Sequence, residues 1–178
     1  ANSLRYNNLE VIETGYGISL RPLALFADET YRGSGISCFL PKTVEEGEQS
    51  KVDVTRAARM HKAIAVIQFK LEGQTIMRNP SFRMDDRLLL DKIDFSGGTV
   101  RLPSGVYPLR DCDFPTIDPA DPYRLSEAEA ELMGQLKNSF LRSEKLQRHI
   151  RFLYSKGGLY KCFNGNLLYH GCIPMDDR

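Results

Sequence analysis

The stretch with the clearest potential for chemistry is a short apolar strand that ends in a histidine and a glycine, Asn166-Leu167-Leu168-Tyr169-His170-Gly171-Cys172-Ile173-Pro174. A strand fixes the backbone of the residue at its tip, so the His170 ring would be presented at the edge of a sheet, a position suited to a metal ligand. Gly171 lets other groups approach closely. One histidine cannot form a metal site, and from its own context a hydrogen-bonded core histidine is the more frequent case.

Three basic residues are candidates for binding a phosphate group. Arg87 follows two aspartates, so Asp85, Asp86 and Arg87 form either an acid pair with a phosphate-binding arginine or the exposed start of a short helix, and the sequence favours the second. Arg151 and Lys156 lie near the end of a predicted helix. There they can engage a sugar phosphate or simply complement the helix dipole, and the two alternatives are evenly balanced.

The other polar residues point to no known chemistry. His61 falls within a predicted apolar helix face and His149 within a helix rich in Arg and Lys, so both are expected to be packing or surface residues. The cysteines form no C-x-x-C pair and are expected to be free thiols; they are Cys38, Cys112, Cys162 and Cys172. The sequence contains no P-loop, G-x-S-x-G, H-E-x-x-H or G-x-G-x-x-G motif.

Length and composition indicate one globular domain of cytoplasmic type. The chain has 178 residues, 42% hydrophobic and 26% charged, which is enough to bury a core. Its 24 basic and 23 acidic residues leave a net charge of +1, so no nucleic-acid partner is predicted. Apolar runs fall well short of the ~20 residues that cross a bilayer, and no membrane association is predicted.

The periodicity of the sequence predicts an α+β fold with about four helices. Pro22 is tolerated near the start of the first helix, and Ser126 with Glu129 forms a capping box at the start of the third. Ser143 is expected to cap the last helix and Gly157 to end it in a left-handed conformation. The predicted helices cover residues 18–31, 54–72, 126–141 and 143–157.

The remaining segments predict two small β structures and one long loop. Short apolar runs separated by Gly97-Gly98 and Pro103-Ser104-Gly105 indicate an antiparallel meander over residues 92–109. Asn164-Gly165 predicts the turn of a C-terminal hairpin, with Cys162 opposite Leu167 or Leu168. The glycine-rich and acidic segment 32–53 predicts a flexible loop.

A set of strings spread over nearly the whole chain carries a family resemblance. They include Tyr6-Asn7-Asn8-Leu9, Gly15-Tyr16-Gly17-Ile18, Met60-His61-Lys62-Ala63-Ile64, Ile67-Gln68-Phe69-Lys70-Leu71-Glu72-Gly73-Gln74, Met84-Asp85-Asp86-Arg87-Leu88-Leu89-Leu90, Ser143-Glu144-Lys145-Leu146-Gln147, Arg151-Phe152-Leu153-Tyr154-Ser155-Lys156-Gly157 and the stretch from Asn164 to Pro174. In this order they resemble the class III fructose-1,6-bisphosphatases, bacterial enzymes of the calcineurin-like metallophosphatase superfamily.

The resemblance implies a function, a cofactor and a set of site residues. It implies hydrolysis of the 1-phosphate of fructose 1,6-bisphosphate in gluconeogenesis, with a pair of divalent metal ions, usually manganese, that activates water and neutralises phosphoryl charge. His170 corresponds to the histidine of the superfamily's H-G motif, which ligates one metal. Arg87, Arg151 and Lys156 then become candidate substrate-binding residues.

Several motifs of the superfamily are missing from this sequence. The D-x-H-G, G-D-x-x-D-R-G and G-N-H-[DE] motifs are not found, nor is a G-H-T-P-type motif after His170. Residues 1–178 are therefore expected to be an internal segment of a larger phosphatase, a piece of its α/β sandwich with a helical insert. The isolated segment is expected to lack bisphosphatase activity and to bind no metal pair.

A second hypothesis assigns the segment a different role. The helical insert would serve as a regulatory or oligomerisation module that binds an anionic effector or another subunit, so a homo-oligomer is a possible outcome. The exposed edge of a hairpin without neighbouring strands could also pair with another copy.

Overall fold

The computed structural model describes residues 1–42, 51–169 and 171, and of residues 51–53 it describes the backbone alone. His170 and residues 43–50 of the predicted flexible loop therefore lie outside the described residues. The helices within them are α1 (Asn2–Arg5), α2 (Glu10–Tyr16), α3 (Arg21–Thr30), α4 (Lys51–Arg78), α5 (Glu127–Arg142) and α6 (Glu144–Lys156). The strands are β1 (Ile93–Asp94), β2 (Thr99–Leu102), β3 (Gly105–Pro108), β4 (Tyr160–Phe163) and β5 (Asn166–Tyr169).

The predicted α+β fold is confirmed, with two short helices in addition to the four helices that the sequence predicted. The meander and the terminal hairpin form two separate antiparallel sheets, in the orders β1-β2-β3 and β4-β5. Among the described residues, three short 3₁₀ turns join α4 to the meander, at Pro80–Phe82, Asp85–Arg87 and Leu90–Lys92, and another, Ser37–Phe39, lies between α3 and α4 in the chain. The sequence predicted a last helical turn over Leu4 to Asn8, close to α1, whereas α2 is too short to show a full apolar period and was not predicted.

Helix α4 is the centre of the fold because it is covered on two sides. On one side α1 and α3 pack against it, and α5 adds to the same apolar core. That core consists of Leu4, Leu20, Leu23, Ala27, Tyr31, Ala57, Met60, Ala63, Ile67, Leu132 and Leu136. On the other side, Val66 and Phe69 of α4 line an apolar cavity of about 260 Å³ together with residues of the meander.

A single glycine sets how closely one loop approaches α4. Gly73 is buried within the helix, and the ring of Tyr123 lies over it. A Cβ atom at position 73 would be 2.1 Å from Cδ1 of that ring. The Tyr123 hydroxyl accepts from Leu90 N at 3.1 Å and donates to Asp91 Oδ1 at 2.6 Å, so the ring is held in place.

Loops are attached to α4 through their own carbonyl groups. The Nδ1–H of His61 donates to Phe39 O at 3.0 Å, and Gln74 Nε2 donates to Tyr123 O at 2.8 Å. The buried amine of Lys62 donates to Gly35 O at 2.8 Å, and that of Lys70 donates to Thr116 O at 2.6 Å. These bonds fix segments that have little regular secondary structure of their own, because buried carbonyl groups need a donor.

Candidate functional site

The hairpin that leads to His170 has the predicted geometry. Asn164 and Gly165 have φ values of 49° and 75°, as a two-residue type I′ turn requires. The register pairs Cys162 with Leu167, one of the two partners predicted for it. The assignment of His170 as a metal ligand concerns a residue outside the described part of the chain.

Helix α6 carries two of the three candidate substrate-binding residues, but on different faces. Arg151 and Lys156 are both exposed, and neither forms a hydrogen bond or ion pair within the described residues. At 3.6 residues per turn, a separation of five places them about 140° apart around the helix axis. Arg148 lies three residues before Arg151 on a neighbouring part of the surface, so these two arginines are better placed to act together.

The third candidate, Arg87, lies on another part of the molecule. It ends the 3₁₀ turn Asp85–Arg87, which contacts α4, and it is exposed. The sequence favoured the exposed start of a short helix here, whereas the structure has a single 3₁₀ turn that ends at Arg87 and is followed by the extended residue Leu88. Arg87 borders a groove of about 560 Å³ whose apolar lining includes Ile67 and Leu71 of α4 and Met133 of α5. The lining also contains the Glu72 carboxylate and the polar side chains of Gln68 and Thr75, so the groove carries one charge of each sign beside its apolar wall.

The described residues do not form a metal centre by themselves. No group of three His, Cys, Asp or Glu side chains among residues 1–42, 51–169 and 171 is arranged to hold a metal ion.

The structure contains two buried lysines that the sequence analysis did not single out. Lys62 Nζ lies 2.7 Å from Asp111 Oδ2, with ring centroids of Tyr31, Phe39 and Phe114 at 5.4–5.9 Å. Lys70 Nζ lies 2.7 Å from Glu129 Oε2, and both side chains are fully buried. Each amine binds a carboxylate and a loop carbonyl, so both are structural ion pairs that join α4 to distant segments.

A tyrosine beside the second ion pair is held neutral. The Tyr31 hydroxyl lies 3.3 Å from Thr116 Oγ1, and the Thr116 carbonyl binds Lys70. Burial raises the pKa of Tyr31 to about 12, and the nearby Glu129 carboxylate acts in the same direction. The phenol therefore contributes a hydrogen bond here and no negative charge.

His61 provides a pH-dependent contribution to stability. Burial lowers the pKa of His61 from its ordinary value of 6.5, so the folded chain keeps the ring neutral. Below that value the unfolded chain binds a proton that the folded chain does not, so stability should fall as the pH falls below 6.5. We expect urea denaturation between pH 7.5 and 5 to show a smaller loss of stability in His61→Gln than in the unchanged chain. The exposed His149→Gln is the matched control, and an equal pH dependence in all three chains would contradict the prediction.

Helix α6 is joined to α2 by a contact that replaces its expected cap. Ser143 precedes α6, yet its hydroxyl forms no capping bond to that helix and instead donates to Tyr16 O at 2.6 Å. The Tyr16 hydroxyl lies 3.2 Å from His149 Nδ1, and the two rings pack edge to face.

Gly157 ends α6 with φ −76°, so the predicted left-handed cap is wrong. A Cβ there would lie 2.5 Å from Leu153 O, so close approach is what favours glycine.

An α+β unit whose terminal hairpin is exposed along both strands is the kind of structure expected for one part of a larger protein. The whole chain, residues 1–178, matches the family model described as Firmicute fructose-1,6-bisphosphatase, and it belongs to that family.

Curated relatives show the same relationship in detail. The chain is 54% identical to the fructose-1,6-bisphosphatase class 3 of Clostridium novyi over 98% of its own length, and 53% identical to that of Listeria innocua over 97%. It spans 26% of the length of each of these relatives. No solved structure matches the chain. None of the described helices is long and apolar enough to cross a membrane.

Proposed function

We propose that the full-length protein to which this chain corresponds is a cytoplasmic fructose-1,6-bisphosphatase that converts fructose 1,6-bisphosphate to fructose 6-phosphate in gluconeogenesis. The observation that carries the proposal is the match of every residue of the chain to one family, together with relatives named for this activity at more than half identity. Manganese, when bound, would supply a metal-activated water and neutralise phosphoryl charge. The described residues do not hold such a pair, so His170 would be one ligand among others contributed from elsewhere.

The direct test is phosphate release by the full-length protein. We expect manganese-dependent release from fructose 1,6-bisphosphate, and none from the purified chain of residues 1–178. Absence of release by the full-length protein across divalent metals would refute the proposal. Release by residues 1–178 alone would refute the inactivity of this segment.

His170 can be tested independently of the substrate. In the full-length protein, His170→Ala should weaken manganese binding, measured by calorimetry, and reduce turnover by about 100-fold or more if one ligand of a catalytic pair is lost. His149→Ala is the matched control because this histidine is exposed and, among the described residues, its side chain is hydrogen-bonded to Tyr16 alone. Equal manganese binding by the two variants would show that His170 is not a ligand.

The cations of α6 are proposed to bind a phosphate group of the substrate. Arg151→Gln should raise KM by about 10- to 100-fold with little change in kcat, since a hydrogen bond to a charged group is worth ~1.5–3 kcal/mol. Lys156→Gln and Arg87→Gln should act in the same direction. Arg101→Gln on β2 is the control, because Arg101 is also exposed and has no ion-pair partner among the described residues. A KM for Arg151→Gln equal to that of Arg101→Gln would exclude Arg151.

A further inference from the structure

The part of the chain from α6 to the end of β5, called here the arm, has a large uncovered apolar surface. On α6, Leu146 and Ile150 are half-buried, whereas Leu153 and Tyr154 on the same stripe are exposed, Tyr154 by 86%. An apolar stripe at helical spacing marks a face that packs against another element. Only the first half of this stripe is covered within the described residues.

The hairpin is uncovered as well, and one of its two faces is wholly apolar. Cross-strand pairing places Tyr160, Tyr169, Cys162 and Leu167 on that face, while Phe163 and Leu168 share the other face with Lys161 and Asn166. An apolar face opposite a partly polar one is typical of antiparallel strands that pack against a core through one face. All four residues of each strand are exposed here.

The hairpin also lacks the partners that would make it stable. An isolated two-stranded hairpin is marginally stable in water, and its two free edges offer unpaired backbone groups. Lys161 and Asn166, the polar residues of β4 and β5, both lie on the second face, so nothing on the first face opposes burial. The first face therefore fits an apolar partner.

We propose that the arm surface is an internal interface, covered by a part of the full-length protein that lies outside residues 1–178. This inference rests on the proposed function, because it takes the full-length protein to be as long as the relatives, of which this chain spans 26%. The covering segment should present an apolar surface to α6 and to the hairpin face formed by Tyr160, Cys162, Leu167 and Tyr169. A second copy of the chain is the competing occupant.

Thiol labelling of Cys162 tests whether the arm is covered. Cys162 on β4 is exposed in the structure, as is Cys38 in the helical part. In the full-length protein we expect Cys162 to react with N-ethylmaleimide at least about 100-fold more slowly than after urea denaturation, as for a thiol reached only by local opening. In residues 1–178 alone, Cys162 should react within about tenfold of its denatured rate. Fast labelling of Cys162 in the folded full-length protein would overturn the proposal.

A photo-crosslink identifies what covers the arm. With p-benzoylphenylalanine in place of Tyr154 in the full-length protein, we expect the linked peptide to come from the same chain and from outside residues 1–178. A peptide from a second chain, or from residues 1–178 themselves, would overturn the proposal. Neither measurement depends on catalysis, so both remain informative if phosphate release is not observed.

Discussion

Replacing Lys70 by methionine is expected to lower the free energy of unfolding of this chain by about 3–5 kcal/mol, among the largest effects of any single change here. The reason is that its ion-pair partner, Glu129, remains buried. Glu129 is fully buried, and its Oε2 accepts from Lys70 at 2.7 Å and from Ser126 N at 2.8 Å. Without the ammonium group, the carboxylate would stay in an apolar interior with no compensating charge, and Thr116 O would lose its donor.

Two further variants separate this effect from loss of packing. The double variant Lys70→Met with Glu129→Leu removes both charges and should recover most of the loss, because well-packed apolar replacements of a buried ion pair are often neutral or stabilising. Arg124→Ala breaks an ion pair with Asp118 at 3.3 Å that is largely exposed, and it should change stability by less than ~0.5 kcal/mol. Urea denaturation measures all three. If Lys70→Met costs no more than Arg124→Ala, the buried pair does not contribute as described.

Replacing Gly73 by alanine is expected to destabilise the chain by a net 1–3 kcal/mol, roughly the range seen for overpacked interiors. Alanine would otherwise favour the helix over glycine by ~1 kcal/mol. The new methyl group would instead lie 2.1 Å from the Tyr123 ring, which is held by its bonds to Leu90 and Asp91. The ring must move, and the hydrogen bond to Asp91 is then lost.

The same substitution at another helical glycine should change the stability of the chain in the opposite direction. Gly134 lies in α5, is exposed, and has no atom within 4 Å of an added Cβ. Gly134→Ala should therefore stabilise the chain by about 0.5–1 kcal/mol. Thermal denaturation of both variants, with the near-ultraviolet circular dichroism of the tyrosines, gives the comparison. Stabilisation by Gly73→Ala would contradict the close contact with Tyr123.

Local patterns in the sequence predicted much of the fold. The capping box of α5 is present, with Glu129 N donating to Ser126 Oγ at 3.2 Å and Ser126 N donating to the Glu129 carboxylate. The type I′ turn at Asn164-Gly165 likewise depends on two adjacent residues alone. Such features need no information from distant parts of the chain, and the meander and the last two helices were predicted for the same reason.

Features that depend on distant segments were missed. The sequence predicted one apolar face of α4, but the helix has a second buried face formed by Ala58, Lys62, Val66 and Lys70 at four-residue spacing. From the sequence alone, lysines at these positions are expected to face solvent. They are buried because the fold places Asp111 beside Lys62 and Glu129 beside Lys70. The bond from Ser143 to Tyr16 was missed for the same reason, since the two residues are 127 positions apart. The four-residue spacing of Lys62 and Lys70 with Ala58 and Val66 is the pattern from which this second buried face could have been predicted.

For the candidate site, the sequence identified the cationic residues but not their arrangement. The helical phase of α6 separates Arg151 from Lys156 and brings Arg151 near Arg148, a residue that the sequence analysis did not consider. Residue types indicate which groups can bind a phosphate, whereas the phase of the helix decides which of them can do so together. The roles of Arg87, Arg151, Lys156 and His170 stay predictions.

The loop carbonyls bound by α4 have a consequence for how this sequence can diverge. Four of the donors are side chains of α4, His61, Lys62, Lys70 and Gln74, and their acceptors are main-chain oxygens of residues 39, 35, 116 and 123. Every amino acid carries a main-chain carbonyl, so substitution in the loops does not remove these acceptors. We therefore expect the four donor positions of α4 to tolerate fewer replacements than Gly35 or Thr116 in a saturation mutagenesis screen for folded protein. The residues that constrain the conformation of these loops therefore lie in α4 and not in the loops themselves.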